Sequence, residues 1–303
     1  MPKLEIHPFS EDFREPAAAL LANRHARHRA AEPLLPEIDD FAAQIPEGEG
    51  AVATRGGDVV AYVIATVGAE RAEIGLAGCA ASEPEAIRDV YAHLAPGWPT
   101  WHQAMIPAAN AELIDAWFRL AFGLQFLTAA RDTSPIDTPA FGGTIRESTP
   151  ADLQATADFD RLLWTHLSRS PSFSGLAVDA QDFESEWSTL WEETDEFPYH
   201  RVAELDGRVV GHILLFNRPT GDLRVPEQNI DLAHAATRED ARGTGAMRAL
   251  MAGAIDWARE QGYRSFTTDW RVVNLEASRY WPRQGFRPTF YRLVRAVPPA
   301  PSV

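Results

Sequence analysis

The chain has 303 residues, an apolar content of 45% and a formal net charge of −15. This length exceeds that of an ordinary single domain, so we expect two domains, each able to bury a hydrophobic core. The negative charge argues against nucleic acid or an anionic membrane as main partner, and the single cysteine, Cys79, excludes internal disulfides and cysteine-based zinc sites.

The first half of the chain alternates between apolar strands and helical segments. His25 and His28 are three residues apart in the first predicted helix, and without a third ligand in view we expect them to face solvent rather than bind a metal. The predicted elements are a strand at 4–7, a helix at 13–30, a hairpin at 51–64 turning at Gly56-Gly57, a strand at 71–77, a helix at 83–94, a strand at 102–106, a helix at 108–120 and a strand at 124–129.

A polar segment with two prolines and two glycines divides the chain. We interpret residues 136–143 of this segment as a linker between a first domain, 1–135, and a second domain, 144–303. The second half then repeats the alternation, with a strand at 144–147, a helix that includes Trp164 and His166, a hairpin at 202–215 turning at Asp206-Gly207, a strand at 230–237, a helix from about 247 to 258 and a strand at 265–272.

The two halves share a spaced pattern. Asn110, Trp117 and Phe122 have the spacing Asn-x6-Trp-x4-Phe, which recurs at Asn274, Trp281 and Phe286. The first half is 14 residues shorter between its hairpin and its asparagine, and in that interval the second half has the loop Arg242-Gly243-Thr244-Gly245. We infer a duplicated domain whose first copy has lost the loop.

The loop joins the strand at 230–237 to an amphipathic helix whose apolar positions recur at helical spacing from Met247 onward. A helix N-terminus preceded by glycines is an anion site, because free N–H groups and the helix dipole meet an unobstructed backbone. No Lys-Ser/Thr follows, which excludes a P-loop, and no third glycine completes a dinucleotide fingerprint. The alternative is a purely structural turn.

The pattern Arg-x-x-Gly-x-(Gly/Ala) at Arg242, followed by Asn274, Ala277, Gly285 and Phe286, resembles the coenzyme A loop and downstream motif of the GNAT superfamily of N-acetyltransferases. The resemblance extends over 145–297 and departs from the family at Met247, where Gly or Ala is usual, and at Trp281, where Tyr is usual. It implies an α+β fold of two GNAT domains, each a mixed, mainly antiparallel sheet flanked by helices, with a degenerate N-terminal copy.

The same resemblance implies direct transfer of an acetyl group from acetyl-CoA to an amine of a small-molecule or peptide acceptor. Acetyl-CoA is then a co-substrate, and we expect no metal, no nucleic acid partner and no membrane partner. We further expect a monomer or homodimer. We expect it in the cytoplasm, since the sequence has neither a signal core nor a membrane span. Met247 and Trp281 keep an alternative open, a non-catalytic acyl-CoA-binding or regulatory protein.

Carried over residue by residue, the resemblance also assigns the chemistry. The Ala235 N–H is expected to donate to the thioester carbonyl, and Asp231, on the same strand face by period two, is the candidate base; a strand-start Asp bonded to a turn is the alternative. His234 is then expected on the other face, beneath a helix. Trp281 is no proton source, and adjacent Tyr280 is expected to be turned about 100° away, so the thiolate would leave without a dedicated acid.

The remaining assignments form two sets. The residues expected to bind acetyl-CoA are Ala235, Ala236, Thr237, Arg242, Gly243, Thr244, Gly245, Ala246, Met247, Asn274 and Trp281. The candidates for the acceptor pocket, by placement alone, are Trp164, His166, Phe173 and Trp187 to Trp191.

Overall fold

A computed structural model of the chain describes residues 2–138, 140–192 and 197–297. Pro139 of the predicted linker and residues 298–303 of the predicted second domain lie outside the described residues. The chain forms two compact units. The first comprises Met1–Ala129, Thr220–Pro226 and Pro288–Val303, and the second comprises Ala130–Pro219 and Glu227–Arg287. None of the described helices combines the length and apolarity that crossing a bilayer requires.

The first unit is a sheet flanked by helices. Its strands run in the spatial order β1-β2-β3-β4-β6-β13-β7, with β5 beside β3. Its strands are β1 (Leu4–Pro8), β2 (Glu49–Arg55), β3 (Asp58–Val67), β4 (Arg71–Ile74), β5 (Cys79–Ala81), β6 (Trp101–Pro107), β7 (Gly123–Asp132), which ends in the second unit, and β13 (Arg287–Ala296). Its helices are α1 (Arg14–Ala31), α2 (Phe41–Gln44), α3 (Ala86–Leu94) and α4 (Ala111–Phe118).

Two segments of the predicted second domain belong to the first unit. Strand β13 pairs antiparallel with β6 from Phe290 opposite Pro107 to Ala296 opposite Trp101. Leu223 is fully buried in the same core as Phe290. Residues 220–226 and 288–297 therefore depart from the predicted division at 136–143, because their apolar side chains complete the first unit's sheet and core.

His25 and His28 are buried in the first unit, so the expectation that they face solvent was wrong. Each is 3% exposed. The His25 ring is 2.8 Å from the Pro36 carbonyl through Nε2, and the His28 ring packs edge-on against Phe290 of β13. Burial, followed by the positive charge of Arg24, lowers the pKa of His28 from 6.5 to about 4.

Acid should destabilise the first unit through His28. Its folded-state pKa lies below the unfolded value, so the unfolded chain binds the proton more readily and stability falls as the pH drops from 6.5 towards 4. Between pH 7 and pH 4.5 we expect the free energy of unfolding of His28→Leu to fall by about 2.5 kcal/mol less than that of the wild type, as measured by urea unfolding. His93→Leu, at an exposed imidazole of α3, is the control. Equal pH slopes for wild type and His28→Leu would contradict the assignment.

The second unit has the sheet order β12-β11-β10-β9-β8. Neighbours are antiparallel except β11 and β12, which are parallel. The strands are β8 (Thr144–Glu147), β9 (Tyr199–Leu205), β10 (Arg208–Phe216), β11 (Asn229–Thr237) and β12 (Ser265–Arg271). The helices are α5 (Leu153–Ser168), α6 (Phe183–Glu192), α7 (Ala246–Glu260) and α8 (Leu275–Tyr280).

The shared Asn…Trp…Phe spacing has a structural meaning in each unit. Asn110 caps α4 and Asn274 caps α8, each accepting backbone N–H bonds through Oδ1. Trp117 packs edge-on against Phe122 at 4.8 Å between ring centroids, and Trp281 packs edge-on against Phe286 at 5.5 Å. Asn274 and Trp281 therefore have a packing role besides any role at a site.

Candidate active site

Strands β11 and β12 separate along their length. They pair only from Asn229 opposite Ser265 to Asp231 opposite Thr267, although β11 continues to Thr237. On its other edge Arg238 donates its N–H to Val210 of β10 at 2.9 Å. Because backbone groups alternate between the two edges of a strand, the N–H groups of Ala235 and Thr237 point into the gap beside β12.

A β-bulge at Ala233 changes the faces of β11. Leu214 lies opposite His234 and Leu215 lies opposite Leu232, so Ala233 is an extra residue. The period-two assignment was therefore wrong: Asp231, His234 and Ala236 share one face, and Ala235 lies on the other. The face with His234 is the one covered by α5, since His234 Nδ1 is 3.0 Å from Asp160 Oδ1.

Helix α7 begins as an anion site. Its N-cap, Gly245, has φ 90°, and Gly243 has φ 82°, both in the left-handed region that glycine adopts without strain. The first bond of the helix runs from the N–H of Ala249 to Gly245, so the three preceding N–H groups have no helical partner. Thr244 does not line the cavity described next; its hydroxyl holds the turn by donating to Ala241 at 2.7 Å.

The gap and the helix N-terminus open into one cavity of about 570 Å³ within the second unit. This volume is in the range of small-molecule sites. The lining residues come from α5, β11, the glycine loop, α7 and α8, and are Leu162, Leu163, His166, Ala235, Ala236, Thr237, Ala241, Arg242, Gly243, Gly245, Ala246, Met247, Arg248, Asn274, Glu276, Ala277, Tyr280 and Trp281.

Three residues of this lining carry a buried polar atom with no hydrogen-bond partner among the described residues. They are Thr237 Oγ1, Arg248 Nε and the Tyr280 hydroxyl, from three different elements. Buried polar groups are nearly always satisfied in native proteins, so a polar ligand in this cavity would supply the partners that these three atoms lack. Burial raises the pKa of Tyr280, and its hydroxyl therefore keeps its proton at neutral pH.

Tyr280 corrects the expectation that it is turned away from the site. Both Tyr280 and Trp281 line the cavity, with their rings edge-on at 4.9 Å between centroids. The chain leaves α8 at this point and continues as a 3-10 turn over Trp281–Gln284, so the regular 100° step per residue does not decide which side chain faces the cavity.

Asp231 is not among the cavity-lining residues. One carboxylate oxygen accepts from Arg218 at 2.7 Å, and the other accepts from the Thr267 hydroxyl at 2.6 Å. The side chain is buried in this network, at 3% exposure of the residue. A carboxylate occupied by an ion pair and a hydroxyl is structural, which argues against Asp231 as the base.

The other predicted site residues divide into those that line the cavity and those that do not. Those predicted to bind acetyl-CoA all line the cavity except Thr244. Of the acceptor candidates, His166 lines the cavity and its Nε2 is 3.3 Å from Asn274 Oδ1, whereas Phe173 is 73% exposed and Trp164 and Trp187 pack in a core cluster with Phe183. Arg248 also lines the cavity, and we did not assign it from the sequence. Its position as a cation in the first turn of an anion-binding helix could have indicated it.

An ion pair lies at the cavity. Arg242 Nη1 donates to Glu276 Oε1 at 2.7 Å, joining the glycine loop to α8. The predicted phosphate-binding arginine is thus held by an acid, while Arg248 of α7 forms no ion pair with a described acidic residue. Within the described ranges there is no group of three or more His, Cys, Asp or Glu side chains that could hold a metal ion.

Comparison with known sequences agrees with this geometry. Residues 162–286 match the model of the acetyltransferase (GNAT) family. A stretch of 88 residues is 31% identical to human N-acetyltransferase 8B, and a stretch of equal length is 30% identical to human N-acetyltransferase 8. Each match covers 29% of this chain and 38% of the human protein, so less than half of either relative is represented.

Solved structures are similar over nearly the whole chain. A GCN5-related N-acetyltransferase from Sphaerobacter thermophilus has a TM-score of 0.57 at 16% identity, with 99% of this chain and 98% of that chain covered. A GCN5-related glucosamine N-acetyltransferase region of a fungal multi-domain β-N-acetylglucosaminidase has a TM-score of 0.51 at 13% identity, covering 97% of this chain and 38% of that chain. The predicted fold, a mixed sheet flanked by helices and similar to GNAT proteins, is confirmed.

Proposed function

We propose that the second unit transfers the acetyl group of acetyl-CoA directly to an amine of a small-molecule or peptide acceptor. The observation that carries the proposal is the junction of the β11–β12 gap with the N-terminus of α7 in one cavity. The match of residues 162–286 to an acetyltransferase family supports the same reaction.

The cavity residues fit acetyl-CoA. The free N–H groups at the start of α7, with Arg248 beside them, suit the pyrophosphate. The backbone edge of β11 suits the amide-rich pantetheine arm, because Ala235 and Thr237 direct N–H groups into the gap. The unpartnered Thr237 hydroxyl adds another polar group on that edge.

The bound thioester would supply an activated acetyl carbonyl. The Ala235 N–H would donate to that carbonyl, which would favour the charge that develops on oxygen during attack. Tyr280 keeps its proton and can donate towards the departing sulfur, a role that Trp281 cannot fill as an acid. Trp281, 8% exposed, closes the cavity wall.

We further propose that the first unit is a degenerate copy that does not bind the nucleotide. There β4 pairs with β6 over its whole length, from Arg71 opposite Trp101 to Ile74 opposite Ala104, which leaves no gap. Its helix α3 follows Glu83 and Glu85 instead of glycines, and Glu83 is paired with Arg55 at 2.8 Å. Glu85 is likewise paired with Arg88 at 2.9 Å, so acidic side chains held by arginines precede α3 where glycines precede α7.

The test is calorimetric titration of the whole protein with acetyl-CoA, followed by an amine screen that measures released thiol. We expect one site per chain and turnover with at least one amine. Two sites would contradict a degenerate first unit. Binding without turnover would favour the alternative, an acyl-CoA-binding or regulatory protein, and absence of binding would contradict both.

A further inference from the structure

We infer that His234, held by Asp160, is the base that removes the proton from the acceptor's ammonium group. The inference rests on the proposed acetyl transfer and names the residue that this reaction still lacks, since the carboxylate of Asp231 is occupied by Arg218 and Thr267.

His234 and Ala236 alternate on the same face of β11, about 7 Å apart along the strand, and Ala236 lines the cavity. Asp160 lies on α5 less than one turn before Leu162 and Leu163, which line the cavity. Neither His234 nor Asp160 lines the cavity itself, so the pair joins β11 to α5 beside residues that do, and the proton reaches Nε2 through water.

Nδ1 of His234 donates to Asp160 Oδ1 at 3.0 Å, and the Trp187 indole N–H donates to Asp160 Oδ2 at 2.8 Å. The carboxylate is thus fixed on both oxygens and sets the ring orientation and tautomer of His234. Among the described residues the hydrogen bond of the His234 ring is the one through Nδ1, and the side chain is 34% exposed. An imidazole fixed through one nitrogen, with the other left for a proton, is the arrangement that a general base requires.

Three histidine rings on β9, β10 and β11 neighbour one another. His200 of β9 and His212 of β10 are buried, with 3.3 Å between Nε2 of His200 and Nδ1 of His212. Burial, then the neighbouring histidines, lowers the pKa of His212, and burial lowers that of His200 to about 3. Of the three rings only His234 has a carboxylate partner, so it alone is built to carry a proton.

Charges on every element packed against His234 agree with this role. Asp160 on α5 and Glu186 on α6 face it with negative charge, whereas His200 and His212 are neutral. Burial disfavours the imidazolium, but the hydrogen bond and charge of Asp160, with the charge of Glu186, outweigh burial and raise the pKa of His234 above 6.5.

Nε2 of His234 takes a proton from the acceptor's ammonium through water. The freed nitrogen pair forms the bond to the acetyl carbon, the carbon–sulfur bond breaks, and its electron pair leaves on sulfur. The thiolate takes a proton from Tyr280 or water, and the new amide nitrogen loses its second proton to solvent, which restores that donor. The imidazolium releases the first proton to solvent, so no other reactant is required.

The test uses the whole protein with acetyl-CoA and measures released thiol. The acceptors are benzylamine, spermidine, glucosamine and a peptide that begins with alanine, and water is the acceptor when no amine is added. We expect His234→Gln to lower kcat/KM about 100-fold while acetyl-CoA affinity by calorimetry stays unchanged. The acidic limb of the wild-type pH profile should disappear in this variant. Asp160→Asn should move that limb to lower pH, because the charge that raises the pKa of His234 is removed. His93→Gln, at an exposed imidazole, is the matched control.

The outcomes separate the two proposals. An unchanged rate and pH profile in His234→Gln, with wild-type turnover intact, would overturn the base and leave the acetyl transfer standing. Wild-type protein that binds acetyl-CoA but releases no thiol with any amine or with water would overturn both. A loss of acetyl-CoA affinity in His234→Gln equal to its loss of rate would show a structural role and overturn the base.

Discussion

Gly243→Val should abolish acetyl-CoA binding, raising the Kd by about 100-fold or more, which corresponds to about 3 kcal/mol. Gly243 has φ +82°, and an added Cβ would meet no protein atom within 4 Å. The space above it is cavity, because Gly243 is one of the lining residues. A branched side chain there would occupy the volume that a phosphate needs beside the α7 N-terminus.

The chain contains a matched control for the strain that this change introduces. Gly262, just past the other end of α7, has φ +84° and likewise nothing within 4 Å of an added Cβ. Gly262→Val should therefore cost a similar free energy of unfolding and leave acetyl-CoA affinity unchanged, since Gly262 does not line the cavity. Equal affinities for the two variants, by calorimetry, would mean that the loop does not bind the nucleotide.

Tyr280→Phe should slow turnover about 100-fold and at the same time stabilise the folded protein by about 1 kcal/mol. The hydroxyl is buried and has no partner among the described residues, so removing it ends a desolvation cost in the free protein. In turnover the same hydroxyl would be the donor to the leaving sulfur. Steady-state kinetics and urea unfolding measure the two effects, with KM for acetyl-CoA expected to stay constant.

Tyr263→Phe should show the opposite pattern. The Tyr263 hydroxyl donates to Asn217 Oδ1 at 2.8 Å on an exposed surface, so its loss should cost a little stability and no activity. If Tyr280→Phe instead loses stability and keeps its rate, Tyr280 is a packing residue and the thiolate leaves without an acid.

The glycine loop and its helix were predictable because their signals are local. Gly243, Gly245 and the apolar stripe from Met247 lie within a single stretch, and backbone conformation there depends on residues beside them. The bulge was not predictable. An alanine-rich run from Ala233 to Ala236 can pair in either register, and the shift lies opposite Leu214 and Leu215 of the neighbouring strand, which local sequence does not reveal.

Long-range contacts account for the remaining failures. The base that we infer depends on His234 meeting Asp160, 74 residues earlier in the chain. Strand β13 was not predicted, since Pro288 and three arginines interrupt its apolar pattern and its partner β6 lies far away in sequence. The burial of His28 follows from the same omission, because the ring packs against Phe290 of that strand.

Strand β13 also determines when the protein can fold during synthesis. It lies between β6 and β7, so the N-terminal unit has an open position in its sheet until residue 296 has left the ribosome. At usual elongation rates this interval lasts roughly ten to thirty seconds after β7 emerges. Throughout it, the edges of β6 and β7 expose unpaired backbone groups to other nascent chains and to chaperones. Folding of the first half is therefore a late event, coupled to completion of the second.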